Sequence, residues 1–417
     1  MDEDGLIDLV RHAGGELVEL TQRLIAFPSV NPPGDMRDIA SFVEAYFQQF
    51  GIPVERFEPL PGRVSVVASL GSNAGPALAF NGHLDVVPSG ERSAWKFDPF
   101  RGTVEDGVLY GRGAADMKSK VAAAMVVTRI MHSNGLPTRG SWVVMLVPDE
   151  ESGGEWGTRW LLANDVVKVD AAIVGEGAGR HYGVANKGTL RVDLRVRGRA
   201  AHGSRPFEGS NAIEGLARLL PAVHGIEQWD LELPREVLEI VELSRPFHIE
   251  NARKRGLSVD LYLNALRRIT VNVGMFHGGI SRNVVADEAV AALDIRYPPG
   301  VSEEQVLGRL RELLGLAGRD DLTVEVIASS PPFYQDLDAP IVRLAREALQ
   351  AVGVSEEPCP VFKGSANDCR HLKAAGIPCV VLGHDGSGGH VPNEHCDVKD
   401  IVDTACLYAV MAHRYTS

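Results

Sequence analysis

Residues 77–85 read Ala-Leu-Ala-Phe-Asn-Gly-His-Leu-Asp, which is an apolar run followed by a turn pair and two side chains able to bind a metal. The run is short and closed by Asn-Gly, so it predicts a buried β-strand that ends at the turn. His83 and Asp85 then lie at the carboxyl end of that strand. A lone His-x-Asp pair is more typical of a structural histidine, so its interpretation depends on the rest of the chain.

Further acidic residues follow within the next hundred positions, each at a place where we expect a strand to end. Asp116 closes the Gly-rich stretch 111–116, the pair Glu150-Glu151 follows the apolar run 142–147, and Glu176 follows the apolar run 171–174. In an open α/β sheet the carboxyl ends of the strands meet at one crevice. The sequence therefore predicts that these carboxylates converge on His83.

Such a set of ligands is suited to a pair of zinc-like ions that share a bridging carboxylate. Glu150 and Glu151 could divide two tasks, one as general base and one as ligand. The second histidine should come from the Gly-rich loop near the end of the chain, where His384, His390 and His395 all remain open. We find neither a phosphate-binding P-loop nor a His-Glu-x-x-His helix in the sequence.

The order of predicted elements indicates a layered α/β domain with a second domain inserted into it. Strands alternate with helices up to residue 186, and a β-α-β-β-α-β order follows, typical of a split βαβ sandwich. We therefore predict a catalytic domain in two parts, 1–186 and 333–417, around an inserted domain, 187–332. The first predicted helix runs from Leu6 to Leu24 and another from Ala212 to Leu220, whereas the segment 229–266 could not be assigned.

The composition of the chain limits the classes of molecule that it is expected to bind and the compartment in which it is expected to occur. The chain has 417 residues and a net charge of −13, which disfavours nucleic acid and anionic membranes as partners. No apolar run approaches the roughly 18 residues of a membrane-spanning helix. The acidic start, 1–4, is unlike a signal peptide. Five cysteines without a C-x-x-C pair suggest reduced thiols, so we expect a cytoplasmic protein.

In combination, these motifs resemble those of the dinuclear zinc amidohydrolases and peptidases that include acetylornithine deacetylase, succinyl-diaminopimelate desuccinylase, aminoacylase and related carboxypeptidases. The resemblance extends from the Pro-Ser-Val-Asn-Pro sequence at 28–32 to the His-Val-Pro-Asn-Glu sequence at 390–394. It implies a zinc-exopeptidase-like layered α/β catalytic domain with an inserted ferredoxin-like (split βαβ) lid and dimerisation domain. It also implies two divalent ions per chain, Zn²⁺ by ligand type, with Co²⁺ or Mn²⁺ as alternatives.

The resemblance assigns roles by position. His83, Asp116 and Glu176 would hold one ion, with Asp116 bridging. Glu151 and His390 would complete the second site, and His390 is preferred because the family's ligand precedes a Pro-Asn-Glu type of sequence. Two carboxylates would act beside the ions: Asp85 would orient the metal-bound histidine and Glu150 would be the general base.

The inserted domain also matches. His202, in the Ala-His-Gly-Ser-Arg-Pro sequence 201–206, resembles the family's lid histidine, which crosses a homodimer interface to stabilise the oxyanion in the partner's site. Asn283, Arg296 and Gly364 match positions that contact substrate, although Arg296 could equally form a salt bridge with Asp294. The sequence departs from the family's pattern at two places, Ser-Lys at 119–120 and the loop 363–370. These differences argue against assigning a relative's substrate to this chain.

The resemblance implies metal-dependent hydrolysis of an amide bond in an N-acyl amino acid by a metal-bridging hydroxide, with Glu150 as base. A dipeptidase or carboxypeptidase of the same family, acting on a short peptide, is the alternative. A non-catalytic binding protein is the third hypothesis, and it would be expected to have lost ligands. The sequence leaves open which acyl group and which amino acid are recognised, and which metal is native.

Overall fold

The computed structural model describes residues 1–72, 74–315 and 320–417, and these fall into two compact units that are described separately. Unit 1 comprises Met1–Val184, Gln335–Val361 and Asn367–Ser417, and unit 2 comprises Ala185–Tyr334 and Phe362–Ala366. The domain boundaries predicted at 187 and 332, and the lid and dimerisation role of that segment, stay predictions.

The described residues form fourteen α-helices and sixteen β-strands, numbered along the chain. The helices are α1 (Glu3–His12), α2 (Gly14–Ile25), α3 (Arg37–Gln49), α4 (Lys118–Ser133), α5 (Thr158–Ala163), α6 (Ala212–Ala217), α7 (Leu220–His224), α8 (Arg235–Leu243), α9 (Arg245–Arg255), α10 (Val259–Arg267), α11 (Glu303–Leu313), α12 (Pro340–Val352), α13 (Cys369–Ala374) and α14 (Val398–Thr416). The strands are β1 (Val54–Leu60), β2 (Arg63–Gly71), β3 (Ala77–His83), β4 (Thr103–Glu105), β5 (Val108–Tyr110), β6 (Ser141–Val147), β7 (Ala171–Val174), β8 (Tyr182–Asn186), β9 (Gly188–Arg197), β10 (Thr270–Gly278), β11 (Glu288–Tyr297), β12 (Leu322–Ser330), β13 (Phe333–Tyr334), β14 (Pro360–Lys363), β15 (Cys379–Val381) and β16 (His395–Asp397).

Unit 1 is built on a mixed sheet with the strand order β1-β2-β6-β3-β7-β15-β8. Strand β3 pairs in parallel with both β6 and β7, and β15 is parallel to β7. Every residue of β6 and β7 is buried, which explains why these strands are apolar throughout rather than alternating. Four neighbouring strands therefore end at the same edge of the sheet. The predicted layered α/β fold is confirmed.

Helices α4 and α14 pack against each other, and both contact β3. Nearly all of α4 is buried, so its apolar residues belong to the core of unit 1. The prediction of one continuous first helix was wrong, because the structure divides this segment into α1 and α2 at Ala13. Two glycines, Gly14 and Gly15, follow that break, and glycine stabilises a continuing helix poorly.

Unit 2 contains a four-stranded antiparallel sheet in the order β10-β11-β9-β12. In β9 the residues Leu190, Val192, Leu194 and Val196 are buried in the core of this unit. The alternation predicted a sheet with one covered face, and the ferredoxin-like fold class is confirmed. The helix predicted for 212–220 is shorter, because α7 begins anew with a proline in its first turn, where a missing N–H is tolerated.

The segment 229–266, which the sequence left unassigned, carries α8, α9 and most of α10. Among the helices of the described ranges, none combines the length and apolar character needed to cross a bilayer. All five cysteines are free thiols.

Candidate metal centre

Three parallel strands of unit 1 bring acidic and imidazole side chains to one edge of the sheet. His83 is the last residue of β3, and Glu150 and Glu151 lie in a short 3₁₀ turn just after the neighbouring strand β6. Glu176 follows β7, on the other side of β3. The convergence follows from the parallel pairing, because parallel strands end at the same edge.

Asp116 reaches the same place by a different route from the one predicted. It does not follow a strand of the main sheet; it lies between β5, in a separate three-stranded sheet, and the start of α4. The Gly-rich stretch before it suggested a strand end, but those glycines form turns instead. The prediction of a strand end was wrong for this residue, although the side chain lies beside His83.

The carboxylate of Asp116 contacts two histidines with its two different oxygens. Oδ1 lies 3.1 Å from Nε2 of His83, and Oδ2 lies 3.3 Å from Nε2 of His390. Glu176 Oε1 is 3.4 Å from the same nitrogen of His83, and Glu151 Oε2 is 3.2 Å from that of His390. Two groups of candidate ligands therefore meet at one shared carboxylate.

The tautomer of His83 is fixed by its other nitrogen. Nδ1 lies 2.8 Å from the backbone carbonyl oxygen of Asp85 and can only donate to it. In the neutral ring Nε2 then carries a lone pair, and this lone pair faces the oxygens of Asp116 and Glu176. That arrangement is stable only if a proton or a metal cation lies between the nitrogen and the carboxylates, so the donor set fits a divalent ion.

The side chain of Asp85 is fully buried and ties two loops to this histidine. Its Oδ2 accepts hydrogen bonds from Nδ2 of Asn31 at 2.8 Å and from the backbone N–H of Glu151 at 3.2 Å. Asn31 also donates to Oγ of Ser152 at 2.8 Å. The carboxylate of Asp85 therefore holds in place the loops that position the candidate ligands and is not itself one of those ligands.

The charges at this centre perturb one another strongly. Burial alone would lower the pKa of His83, but hydrogen bonding to Asp116, Asp85 and Glu176 raises it well above its usual value. The contacts with Asp116 and Glu151 raise the pKa of His390 to about 10. Burial would raise the pKa of Asp116, yet the two histidines hold it below its usual range. The raised pKa values of both histidines therefore favour a positive charge next to these carboxylates.

Of the three late histidines, His390 is the one that joins the cluster. The fully buried ring of His384 lies 3.1 Å from Oγ of Ser119, and His395 packs on the ring of Tyr110. His390 has a positive φ of 66°, a conformation that is costly for a residue other than glycine and is common at functional sites. Its side chain is 55% exposed.

Glu150 lies near the candidate ligands but makes neither of the two carboxylate contacts to His390. Its carboxylate groups with His83 and Glu176, while a second grouping contains His83, Asp116 and Glu151. Burial raises the pKa of Glu150 well above its usual value, and Arg370 opposes this shift. The buried guanidinium of Arg370 lies 3.5 Å from Oε1 of Glu150. Sequence reasoning did not single out Arg370.

Glu394 was quoted only as part of a motif, but it is bonded to the loop that carries Asp116. Its Oε1 accepts hydrogen bonds from the backbone N–H groups of Gly113, Ala115 and Asp116, and its Oε2 accepts one from Nη1 of Arg112 at 2.6 Å. The carboxylate is 1% exposed. Since Glu394 follows His390 by four residues, it joins the segments that carry two candidate ligands.

In unit 2 the structure brings two of the predicted site residues together. The backbone N–H of Gly203 donates to the carbonyl of Asn283 at 2.7 Å, and His202 forms a β-bridge with Val284. The exposed ring of His202 accepts a hydrogen bond at Nδ1 from the backbone N–H of Ser204. Nε2 of the neutral ring is therefore protonated and free to donate.

The remaining predicted substrate contacts are less specific. Arg296 forms the salt bridge with Asp294 that the sequence allowed, with Nη2 3.0 Å from Oδ2, and donates to Oγ1 of Thr189 at 2.7 Å. Gly364 is exposed and makes no close approach. The departure at 119–120 is also explained, because Lys120 is buried and its ammonium donates to the carbonyl of Ala115.

The chain is similar to a known protein family, to named relatives and to solved structures. The model of a family described as Peptidase family M20/M25/M40 matches residues 79–414. A succinyl-diaminopimelate desuccinylase of Methylobacterium radiotolerans is 31% identical over 97% of this chain and 98% of its own length. That of Xanthobacter autotrophicus is 30% identical over 95% and 99%. Among solved structures, an M20 family metallo-carboxypeptidase, Sso-CP2 from Sulfolobus solfataricus, has the same fold, with a TM-score of 0.84 and 22% identity over 96% of this chain and 99% of its own.

Proposed function

This chain belongs to peptidase family M20/M25/M40 and is a metal-dependent hydrolase of amide bonds, and from that premise we propose that it removes the acyl group from N-acyl amino acids. The observation that carries the proposal is the shared carboxylate of Asp116, which meets His83 with one oxygen and His390 with the other. A carboxylate placed in this way suits a bridge between two ions.

His83, Asp116 and Glu176 would hold one ion, and Glu151 and His390 would join Asp116 in holding the other. Imidazole and carboxylate ligands favour zinc, and cobalt or manganese would fit the same ligands. When bound, the ions polarise a carbonyl group and lower the pKa of a water molecule. Asp85 orients His83 through its carbonyl oxygen and holds the turn of Glu151 through its side chain.

Glu150 moves the proton. Its carboxylate lies near His83 and Glu176 but makes neither of the contacts to His390. Burial favours its protonated form, so Glu150 accepts a proton from the attacking water and keeps it long enough to deliver it to the leaving nitrogen. Arg370, 3.5 Å away, limits that preference and fixes the carboxylate in place.

His202 would supply the hydrogen bond that stabilises the developing oxyanion, through the proton on Nε2. In this proposal it acts in the site of a second copy of the chain, in a homodimer. Asn283, Arg296 and Gly364 would contact the substrate. Because Arg296 already has a carboxylate partner in Asp294, its role requires exchange of that partner for the substrate. A cytoplasmic location also belongs to this proposal.

The substrate we propose is an N-acyl amino acid with a free carboxylate, with N-succinyl compounds included because curated relatives carry the name succinyl-diaminopimelate desuccinylase. The test is a competition assay with metal-loaded protein between N-acetyl and N-succinyl amino acids on one side and dipeptides on the other. Preferential release of the acyl group supports the proposal. Preferential cleavage of the dipeptides would replace it with a peptidase, and hydrolysis of neither would favour a binding protein.

A further inference from the structure

Unit 2 contains a cavity of about 250 Å³ that plays no part in the proposed chemistry. It lies where the segment after α7, residues 228–233, meets α8 and the end of α10. These elements belong to the stretch that the sequence could not assign. The cavity is somewhat smaller than the ~300–1,000 Å³ of pockets for drug-sized ligands, and this size suits a molecule as large as one amino acid.

Apolar side chains form part of the cavity wall. Trp229 and Leu231 are partly buried and pack against the core of unit 2 with their other surfaces. Leu238 of α8 lines the same cavity and is 40% exposed. A leucine-sized apolar group that filled the cavity would cover this surface.

Three polar side chains of the wall, those of Asp230, Asn264 and Arg268, are exposed to solvent. Among the residues that the structure describes, no hydrogen bond or ion pair is made by the side chains of Asp230, Asn264 or Arg268. Arg267 also lines the cavity, but its guanidinium is neutralised by Glu242. One positive and one negative side chain without a protein partner therefore line a cavity whose wall also contains apolar side chains.

We propose that this cavity binds a free α-amino acid with an apolar side chain of leucine size. Arg268 would pair with the carboxylate, for which a guanidinium is suited, and Asp230 would pair with the ammonium group. The side chain would cover Trp229, Leu231 and Leu238. A zwitterion matches both charges, whereas a simple carboxylic acid or amine would leave one of them without a partner.

Regulation by product through this cavity rests on the proposed function. Deacylation of an N-acyl amino acid releases a free amino acid, so a site of this kind in unit 2 would respond to the concentration of product. Binding itself does not depend on that activity.

The experiment is a fluorescence titration of the full-length, metal-loaded protein with L-leucine. We expect a saturable change in fluorescence that disappears in the Trp229→Phe variant, because this substitution shows which of the five tryptophans gives the signal. Arg268→Gln and Asp230→Asn should each weaken binding by about tenfold or more, as should leucinamide and 4-methylpentanoate, which each lack one charge. Arg218→Gln, which changes an arginine away from the cavity, is the matched control.

The absence of a Trp229-dependent signal up to about 10 mM leucine would overturn the proposal, as would equal binding of leucine and the two singly charged compounds. A loss of kcat/KM for the acyl substrate in Arg268→Gln would assign the cavity to the substrate site and would also overturn it. If the protein hydrolyses no acyl amino acid but still binds leucine in this way, the proposed function fails and the binding site stands.

Discussion

Oε2 of Glu394 lies 2.6 Å from Nη1 of Arg112, and both side chains are 1% exposed. The other oxygen of Glu394 accepts three backbone hydrogen bonds from the loop that ends at Asp116. Because Glu394 also closes the segment of His390, one buried carboxylate fixes the distance between two candidate ligands. Glu394 thus lies outside the set of candidate ligands, yet it positions two segments of the candidate metal centre.

Replacing Glu394 by alanine should cost stability and metal affinity together. The variant leaves the guanidinium of Arg112 buried without its partner, a change that typically costs about 3–5 kcal/mol. We expect a lower Tm and zinc binding weakened by about 10–100-fold, as for other residues that position metal ligands. Glu105→Ala is the control, since Glu105 and Lys96 form an exposed pair. Wild-type zinc affinity in Glu394→Ala would show that the loop holds its shape unaided.

Glu150→Gln should separate catalysis from metal binding. The amide keeps the size of the side chain but cannot take a proton, so turnover should fall by about 10²–10⁴-fold. Zinc stoichiometry should stay at the wild-type value, because Glu150 is the base in this scheme and not a ligand. Glu155→Gln, on the exposed surface nearby, should behave as wild type. Loss of a zinc ion in Glu150→Gln would make Glu150 a ligand and require another base.

His202→Ala tests whether one copy of the chain completes the site of another. Loss of a hydrogen-bond donor to the oxyanion should lower kcat by about 10²–10³-fold with little change in KM. If His202 acts in the partner's site, mixing inactive His202→Ala with inactive Glu150→Gln protein should restore activity, up to about a quarter of wild type in a dimer. Lack of restoration under conditions of subunit exchange, or a monomer in sedimentation, would rule out the trans role.

His248 in unit 2 should make stability depend on pH. Burial lowers its pKa to about 4 from an ordinary 6.5, and nearby Lys363 acts in the same direction; the ring also stacks on Tyr262 and its Nε2 lies 3.1 Å from the carbonyl of Phe362. Between pH 6.5 and 4 the unfolded chain binds a proton that the folded chain does not. Stability should therefore fall as pH falls through this range, by at most about 3 kcal/mol from this residue.

The measurement is urea unfolding at pH 7 and pH 5. His248→Gln keeps a donor for the carbonyl of Phe362 but cannot be protonated, so its loss of stability between the two pH values should be smaller than that of wild type. His224→Gln, at an exposed histidine, should show the wild-type loss. Equal losses in wild type and His248→Gln would mean that this histidine is as accessible to protons in the folded state as in the unfolded state.

Sequence patterns predicted those parts of the fold that depend on local signals. The strand before His83 and the alternation in β9 follow directly from hydrophobic periodicity. The apolar runs before Glu150 and Glu176 likewise predicted buried strands. The break between α1 and α2 was missed because its cause, a pair of glycines, is tolerated within many helices.

The remaining features depend on contacts between residues far apart in the chain. No local signal predicts that Asp116 lies next to His390. These two residues are far apart in the sequence and are brought together by the three-stranded sheet and by the hydrogen bonds of Glu394. The contact of Arg370 with Glu150 joins positions 220 residues apart, and nothing in the surrounding sequence marks that arginine as buried. The choice among three late histidines came from resemblance to a family, whereas in the structure only His390 of the three contacts Asp116 and Glu151.

The most direct test of the central claim, that two ions share Asp116, is a zinc titration of chelator-stripped protein followed to saturation. We predict two ions per chain in the wild type and loss of at least one in Asp116→Asn, with a far-UV circular dichroism spectrum that shows the variant to be folded. Saturation at a single ion, or no binding, would contradict the shared site. Two ions retained with full affinity in Asp116→Asn would show that Asp116 does not bridge them.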